Sequence, residues 1–216
     1  MKNLLLTAFE PFAGESINAS LEAARQMQKI DFRDATVRLA ELPVDRFRAV
    51  DFALSLLRAS RPDLVIMVGE AGARFRINPE RVAINVDHFR IPDNAGNQPQ
   101  DERIVEGGPV GYFSTLPIHA ITERIIEAHI PAAISNSAGT YLCNRVFYSV
   151  MHAINSDLMP TVAGFIHVPY VHDQAMTKYP DVPSLSRESI VEAVRLTIEV
   201  SLASELHLLH RDHSRQ

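Results

Sequence analysis

Leu64-Val65-Ile66-Met67-Val68, opened by Pro62 and closed by Gly69, is the stretch whose reading decides the fold. Such a short unbroken apolar run between turn formers reads as a strand buried on both faces, and a strand of that kind belongs to a sheet covered on each side by helices. The run Leu4-Leu5-Leu6-Thr7-Ala8-Phe9 has the same character. Between the two, Leu21, Ala24 and Met27 recur at helical spacing in a segment running from Asn18 or Ser20 to Ile30. Ala35 to Ala40 then alternates as a strand, and Val44 to Ser60 carries Phe47, Val50, Ala53, Leu54 and Leu57 on one helical face. The order βαβαβ predicts a largely parallel sheet.

The alternation breaks between Gly69 and Pro117. Glu80 to Asp87 alternates like a strand, whereas Ile91-Pro92-Asp93-Asn94-Ala95-Gly96-Asn97-Gln98-Pro99 is turn-rich and too polar for a core; a loop of this length in a compact domain is usually functional. A helix near Ile118–His129, a strand over Ala132–Ser135, a helix holding Cys143 and a strand from Val162 to His167 follow. An irregular segment with Pro169, Pro180 and Pro183 leads to a last helix from about Ser186 to near His210. The expected fold is α/β, a three-layer α/β/α sandwich whose central sheet is mostly parallel with room for a mixed strand, and residues 1–216 form one domain.

A net charge of −5, with no basic run and no aromatic residues interleaved with basic ones, argues against nucleic acid as a partner. The single cysteine excludes an internal disulfide. Polar Thr7 and Glu10 interrupt the first residues too early for a signal peptide, and no apolar run approaches the roughly 18 residues of a membrane span. A cytoplasmic, soluble protein away from membranes is the expectation. Zinc, P-loop, dinucleotide and serine-elbow motifs are all missing, so no metal and no cofactor is expected. His207, His210 and His213 lack a companion carboxylate or cysteine set and read as a polar helix end.

The lone cysteine is placed where cysteines react. With Thr140 as N-cap, Cys143 falls in the first turn of a helix, where free N–H groups and the helix dipole favour a thiolate and lower a cysteine pKa from about 8.5 toward roughly 3.5–7.5. The other possibility is a small buried hydrophobe. His167 closes an apolar strand before Pro169, either as a base or as a strand-end hydrogen-bonding group. Glu80 follows Pro79 at the start of a strand, either half-buried beside an imidazole or as a solvated edge residue. In open α/β sheets ligands gather beyond the carboxyl ends of strands, which brings Phe9, Gly69 to Gly72, Cys143 and His167 into one neighbourhood. A nucleophile, a base and a group that orients the base are what cysteine catalysis needs.

Several segments together resemble type I pyroglutamyl peptidase, a cysteine peptidase family, across essentially the whole chain. They are Thr7-Ala8-Phe9-Glu10-Pro11-Phe12-Ala13-Gly14, Gly69-Glu70-Ala71-Gly72-Ala73-Arg74, Glu80 to Asn85 with Arg90 to Asn94, Ala138-Gly139-Thr140-Tyr141-Leu142-Cys143-Asn144, and Gly164-Phe165-Ile166-His167-Val168-Pro169-Tyr170. The resemblance implies an exopeptidase that removes an amino-terminal pyroglutamyl residue from small peptides without a cofactor, often as a homodimer or homotetramer. It implies Cys143 as nucleophile, His167 as base and Glu80 as third member. It also implies a lactam pocket formed by Phe9, Phe12, Glu70, Ile91 and Leu142, with Arg90 nearby. A non-catalytic binder of lactams or peptide termini on the same fold is the alternative from another class, while a nucleoside phosphorylase-like reaction lacks a phosphate motif. Ala8, Ala13 and Ala73 stand where the family pattern has glycine, Ala19 where it has proline, and Glu70 where it has glutamine. A carboxylate beside a neutral lactam needs a partner, and Arg74 or Arg90, close in sequence, is the expected one.

Overall fold

A computed structural model describes residues 1–213 other than 34, 73 and 179–181, with backbone alone at 177 and 205–213. Ala73, Pro180 and the side chains of His207, His210 and His213 therefore lie outside what is described. In chain order the elements are β1 (Lys2–Phe9), α1 (Ala19–Met27), β2 (Ala35–Leu42), α2 (Arg48–Ser60), β3 (Leu64–Glu70), β4 (Asn78–Pro79), β5 (Val82–Ile84) and β6 (Gly111–Phe113). They continue with α3 (Ile118–Glu127), α4 (Leu142–Ser156), β7 (Val162–Val168), β8 (Tyr170–Val171), α5 (His172–Lys178), β9 (Ser184–Leu185) and α6 (Arg187–His213).

The five-stranded sheet runs β2-β1-β3-β7-β4, parallel throughout except for β4, which is antiparallel to β7. Every residue of β3 is buried. Because side chains alternate across a strand, Leu64, Ile66 and Val68 enter the core shared with α1, α3 and α6, whereas Val65 and Met67 enter the core shared with α2 and α4. This is the three-layer α/β arrangement that the unbroken apolar runs demanded.

Several expected elements take another form. The strand over Ala132–Ser135 is reduced to isolated parallel bridges, Ile77 with Ala132 and Glu80 with Ser135, alongside β4. The run from Glu80 to Asp87 forms a ladder only over β5, with isolated bridges at Glu80 and Asp87. Helix α2 begins at Arg48, not Val44, because the Asp45 carboxylate accepts from the N–H groups of Phe47 and Arg48 at 2.9 and 3.0 Å. Helix α4 begins at Leu142 with Tyr141 as N-cap and no side-chain cap; the Thr140 hydroxyl donates instead to His88 O at 2.8 Å. The short α5 had no sequence signal strong enough to separate it from its proline-rich surroundings.

The polar loop 91–99 is largely at the surface, as its composition implies, with Asp93 and Pro99 buried, while the residues leading into it supply buried groups. Asp87, Phe89 and Asp93 are buried. Asp87 Oδ2 accepts from Arg46 Nε at 3.0 Å and from Arg145 Nη1, and Asp93 accepts from the N–H groups of Arg46, Ala95 and Asn97. Among the described residues no helix is long and apolar enough to cross a membrane.

Asn144 ties α4 to this loop. Fully buried, it accepts from Ile84 N–H at 2.9 Å and donates to Ile84 O and Val86 O at 2.9 and 3.1 Å. Asn144→Ala would leave these backbone groups unpaired away from water, at about 1–3 kcal/mol each where no water replaces the amide. Urea denaturation should show a loss of about 3 kcal/mol; a change under about 0.5 kcal/mol would show that the tie is dispensable.

Candidate active site

Gly69 near the end of β3 pairs in register with His167 on β7. The side chain of His167 lies on the same sheet face as those of Ala163 and Phe165, four and two residues earlier, and that face is covered by α4. Cys143 is the second residue of α4. Its sulfur rests on the bare backbone of Gly69: a Cβ there would lie 2.9 Å from Sγ and 2.7 Å from Cζ of Phe165. Glycine therefore opens the space through which the thiol reaches the sheet beside His167.

His167 is only 4% exposed, and its Nδ1 lies 2.7 Å from Oε1 of Glu80. Glu80 is wholly buried, more deeply than the half-buried edge position expected, because β4 folds back antiparallel on β7 and the Glu80 N–H donates to Phe165 O at 2.9 Å. Arg74 supplies the positive charge this carboxylate needs. Its Nη1 donates to Oε1 of Glu80 at 2.6 Å and its Nη2 to Ser137 O at 3.0 Å.

The carboxylate oxygen, an acceptor, keeps a proton on Nδ1 of His167 and leaves Nε2 free to accept another. Burial pushes the His167 pKa down, against the opposing pull of Glu80, so the ring is a neutral base near pH 7. The electrostatics of the site run against the thiolate expected from the helix start. Burial, reinforced by the negative charge of Glu80, pushes the Cys143 thiol up to about 12, outweighing Arg74 and the helix-start N–H of Cys143 itself. Both shifts favour the neutral forms, a thiol and an uncharged imidazole.

A cavity of about 30 Å³, room for a water molecule, adjoins the sulfur. Of the pocket residues expected, Phe9, Phe12, Glu70 and Leu142 line it with Cys143. Asn18, Val44 and Tyr141 line it too and were not anticipated, although Tyr141 sits within the cysteine motif. Arg90 and Ile91 do not line it: Arg90 is exposed and Ile91 half-buried. The Tyr141 ring is held 4.5 Å from that of Phe89, and its hydroxyl donates to Pro92 O at 3.3 Å, so the polar loop fixes one wall of the cavity.

The expected pairing of Glu70 with Arg74 or Arg90 does not occur. Arg74 is committed to Glu80, and Arg90 is exposed to solvent. Glu70, 8% exposed, accepts through Oε2 from Ala19 N–H at 2.7 Å and from Nε2 of Gln174 at 2.9 Å, while Oε1 is buried without a partner among the described residues. Burial is the main cause that raises its pKa above the ordinary 4.5, partly offset by these two donors. Ala13 adopts φ +53°, a left-handed angle that suits glycine and strains alanine, while Ala8 is buried in β1.

A family model described as pyroglutamyl peptidase matches residues 2–204. A pyrrolidone-carboxylate peptidase of Vibrio vulnificus is 44% identical over 210 residues, which cover 97% of each chain. One from Thermococcus onnurineus is 49% identical over 200 residues, 92% of this chain and 98% of the relative. The crystal structure of pyroglutamyl peptidase I from Bacillus amyloliquefaciens superposes with a TM-score of 0.90 at 40% identity, covering 94% of this chain and 98% of that one. A mutant pyrrolidone carboxyl peptidase from Pyrococcus furiosus gives 0.89 at 43% identity, covering 94% and 99%.

Gly69→Ala would drive a methyl group into the sulfur and the Phe165 ring. A cost of about 1–3 kcal/mol in stability is expected from overpacking, with kcat lowered about 10²-fold by displacement of the sulfur. An unchanged kcat in a folded variant would show that the thiol does not depend on this gap. Glu70→Gln tests the buried carboxyl without any ligand. An acid whose folded pKa is raised stabilises the fold fully below its ordinary value and loses that contribution as pH rises through the raised one. The thermal stability of the Gln variant relative to the parent should therefore grow with pH from about 4.5 upward. A constant difference across that range would mean that Glu70 titrates normally.

Proposed function

The chain belongs to the pyroglutamyl peptidase family, and from that premise we propose how its residues divide the work. It is a cysteine peptidase acting on peptides with an amino-terminal pyroglutamyl residue. The contact that carries the assignment of roles is the 2.7 Å bond between Nδ1 of His167 and buried Glu80, next to a thiol lodged over Gly69.

Cys143 is the nucleophile, His167 the general base and Glu80 the group that orients the base. As Sγ attacks the pyroglutamyl carbonyl carbon, the thiol proton passes to Nε2 of His167 and the carbonyl electron pair moves to oxygen. The imidazolium then protonates the leaving amine, the C–N bond breaks, and a thioester remains on Cys143. Water, losing a proton to His167, attacks that thioester; pyroglutamate leaves and the thiol is restored. Burial holds both resting groups neutral, and Glu80 with Arg74 stabilises the imidazolium formed during each step. The free N–H groups at the start of α4, where Cys143 lies, are donors suited to the developing oxyanion.

The reaction requires no metal or cofactor from this chain. We assign the protein to the cytoplasm on its composition and single cysteine, as one domain over residues 1–216. A homodimer or homotetramer is supported by the exposed apolar side chains of Val110 and Phe113, and light scattering on the eluting protein tests it.

The decisive assay is release of a chromophoric amine from a pyroglutamyl amide. Cys143→Ser should retain the fold with turnover at background, and alkylation of Cys143 should abolish activity; turnover surviving complete alkylation would remove the cysteine mechanism. Lactam binding by the parent without turnover would instead support the non-catalytic reading. Glu80→Gln should lower kcat about 10²–10⁴-fold with little change in KM. Because the His167 base is neutral down to below its ordinary 6.5, kcat/KM in the parent should fall on the acid side only below that pH. An acid limb above pH 7 would mean that His167 is charged at rest.

A further inference from the structure

Two departures from the family pattern meet in space. Ala19, where the pattern has proline, is the first residue of α1, and its N–H donates to Oε2 of Glu70, where the pattern has glutamine. Proline has no N–H and could not make this bond. Oε2 also receives the amide of Gln174, so both hydrogen bonds to the carboxyl converge on one oxygen and Oε1 remains buried and without a partner among the described residues, on a side chain that lines the cavity beside Cys143.

We propose that Glu70 recognises the substrate lactam in its protonated form, with Oε1–H as a hydrogen-bond donor to the lactam carbonyl and with Ala19 and Gln174 fixing which oxygen bears the proton. The inference rests on the pyroglutamyl reading of the site. Two N–H donors on Oε2 favour that atom as the carbonyl-like oxygen and leave the proton to Oε1. In this state the carboxyl presents what a glutamine amide would: an acceptor toward the two N–H groups and a donor toward the cavity. An ionised Glu70 would meet the lactam carbonyl with a negative oxygen in a cavity also lined by Phe9 and Phe12, and binding would weaken.

The charged and titratable surroundings do not compensate it. From the loop after β1 the nearby charge is Glu15, which is paired with Lys178 of α5; from α4 it is the neutral thiol of Cys143; and across the sheet from β3 it is the neutral ring of His167. Arg74 is held by Glu80. The recognition of a neutral ring is thereby made dependent on pH by a single side chain, and Ala19 sets where that dependence begins.

The test measures the dissociation constant of 2-pyrrolidone, the bare lactam, by calorimetry from pH 5 to 9 on four proteins: the parent, Glu70→Gln, Ala19→Pro and the double variant. Proline is compatible with the first helical position, so Ala19→Pro should fold. In the parent, Kd should be flat at low pH and then rise up to about tenfold per pH unit as Glu70 ionises. It should stay flat in both proteins that carry the Glu70→Gln substitution. In Ala19→Pro the rise should begin about one pH unit higher, since the charged form has lost a hydrogen bond. A flat profile in the parent, the same rise in Glu70→Gln, or a Kd that falls with pH would each overturn the proposal, the last because it would make ionised Glu70 an acceptor. Absence of lactam binding in all four proteins would overturn it as well. Turnover of a pyroglutamyl amide, followed in parallel, judges the activity separately: pH-dependent lactam binding without turnover would keep the role of Glu70 and remove the peptidase assignment.

Discussion

A carboxylate with no exposure to water must be met inside the protein by positive charge or by hydrogen-bond donors, and Glu80 is the place where this chain meets that demand. Its Oε1 takes both the Arg74 guanidinium and the His167 ring. The surrounding backbone is arranged to make that possible. Strand β4 reverses direction against β7, setting Asn78 opposite His167, and residue 80 then donates its own N–H to Phe165 O. Arg74 closes the arrangement from outside by bonding to Ser137 O, which belongs to the segment leading into α4. One ionic contact thus joins the last parallel strand, the antiparallel turn and the approach to Cys143. Loss of the Glu80 charge would disturb all three.

Desolvation governs the sulfur as well. A thiol at a helix start gains from the local N–H groups, but for Cys143 burial, reinforced by the negative charge of Glu80, acts in the opposite direction and raises the thiol. In the proposed mechanism such a site offers neutral groups at rest and separates charge only during reaction, with His167 oriented by its bond to Glu80. Asn144, the next residue, locks the helix start to β5 and the residues after it through three backbone hydrogen bonds, so the position of the sulfur is fixed from both the helix and the loop.

The framework was legible because apolar runs such as Leu64–Val68 have few physical interpretations, and the strand-end rule alone draws Cys143 and His167 together. Motif resemblance then raised Glu80 above its reading as an edge residue, and local patterning had underestimated its burial. What could not be read depended on competition among partners. Arg74 is four residues from Glu70 and six from Glu80, and sequence distance favours the former; strand reversal at β4 awards it to the latter. Thr140 has the chemistry of an N-cap, yet a backbone carbonyl from a distant loop claims its hydroxyl. Ala132–Ser135 has strand composition, but its neighbour β4 is only two residues long and offers too short a ladder. The burial of Asp87 was not legible because it is tolerable only with Arg46 and Arg145 beside it, residues far away in sequence.

The two margins of the sheet are unlike each other, and this bears on how the protein avoids its own association. On one side β4 is short, contains Pro79, and has its outward backbone groups already engaged by residues 131–135 through bonds such as Ala133 N–H to Ile77 O and Ser135 N–H to Pro79 O. On the other side β2 extends for eight residues and, among the described strands, pairs with β1 alone. Any added strand, from another copy or from a partly unfolded chain, would have to dock there. Along β2 the charged Arg38 and Glu41 stand among half-buried and exposed positions. Charges at an open margin disfavour continuation of a sheet into a fibre, so the resistance of this fold to stacking end on end rests on a handful of polar side chains in β2, far from the chemistry.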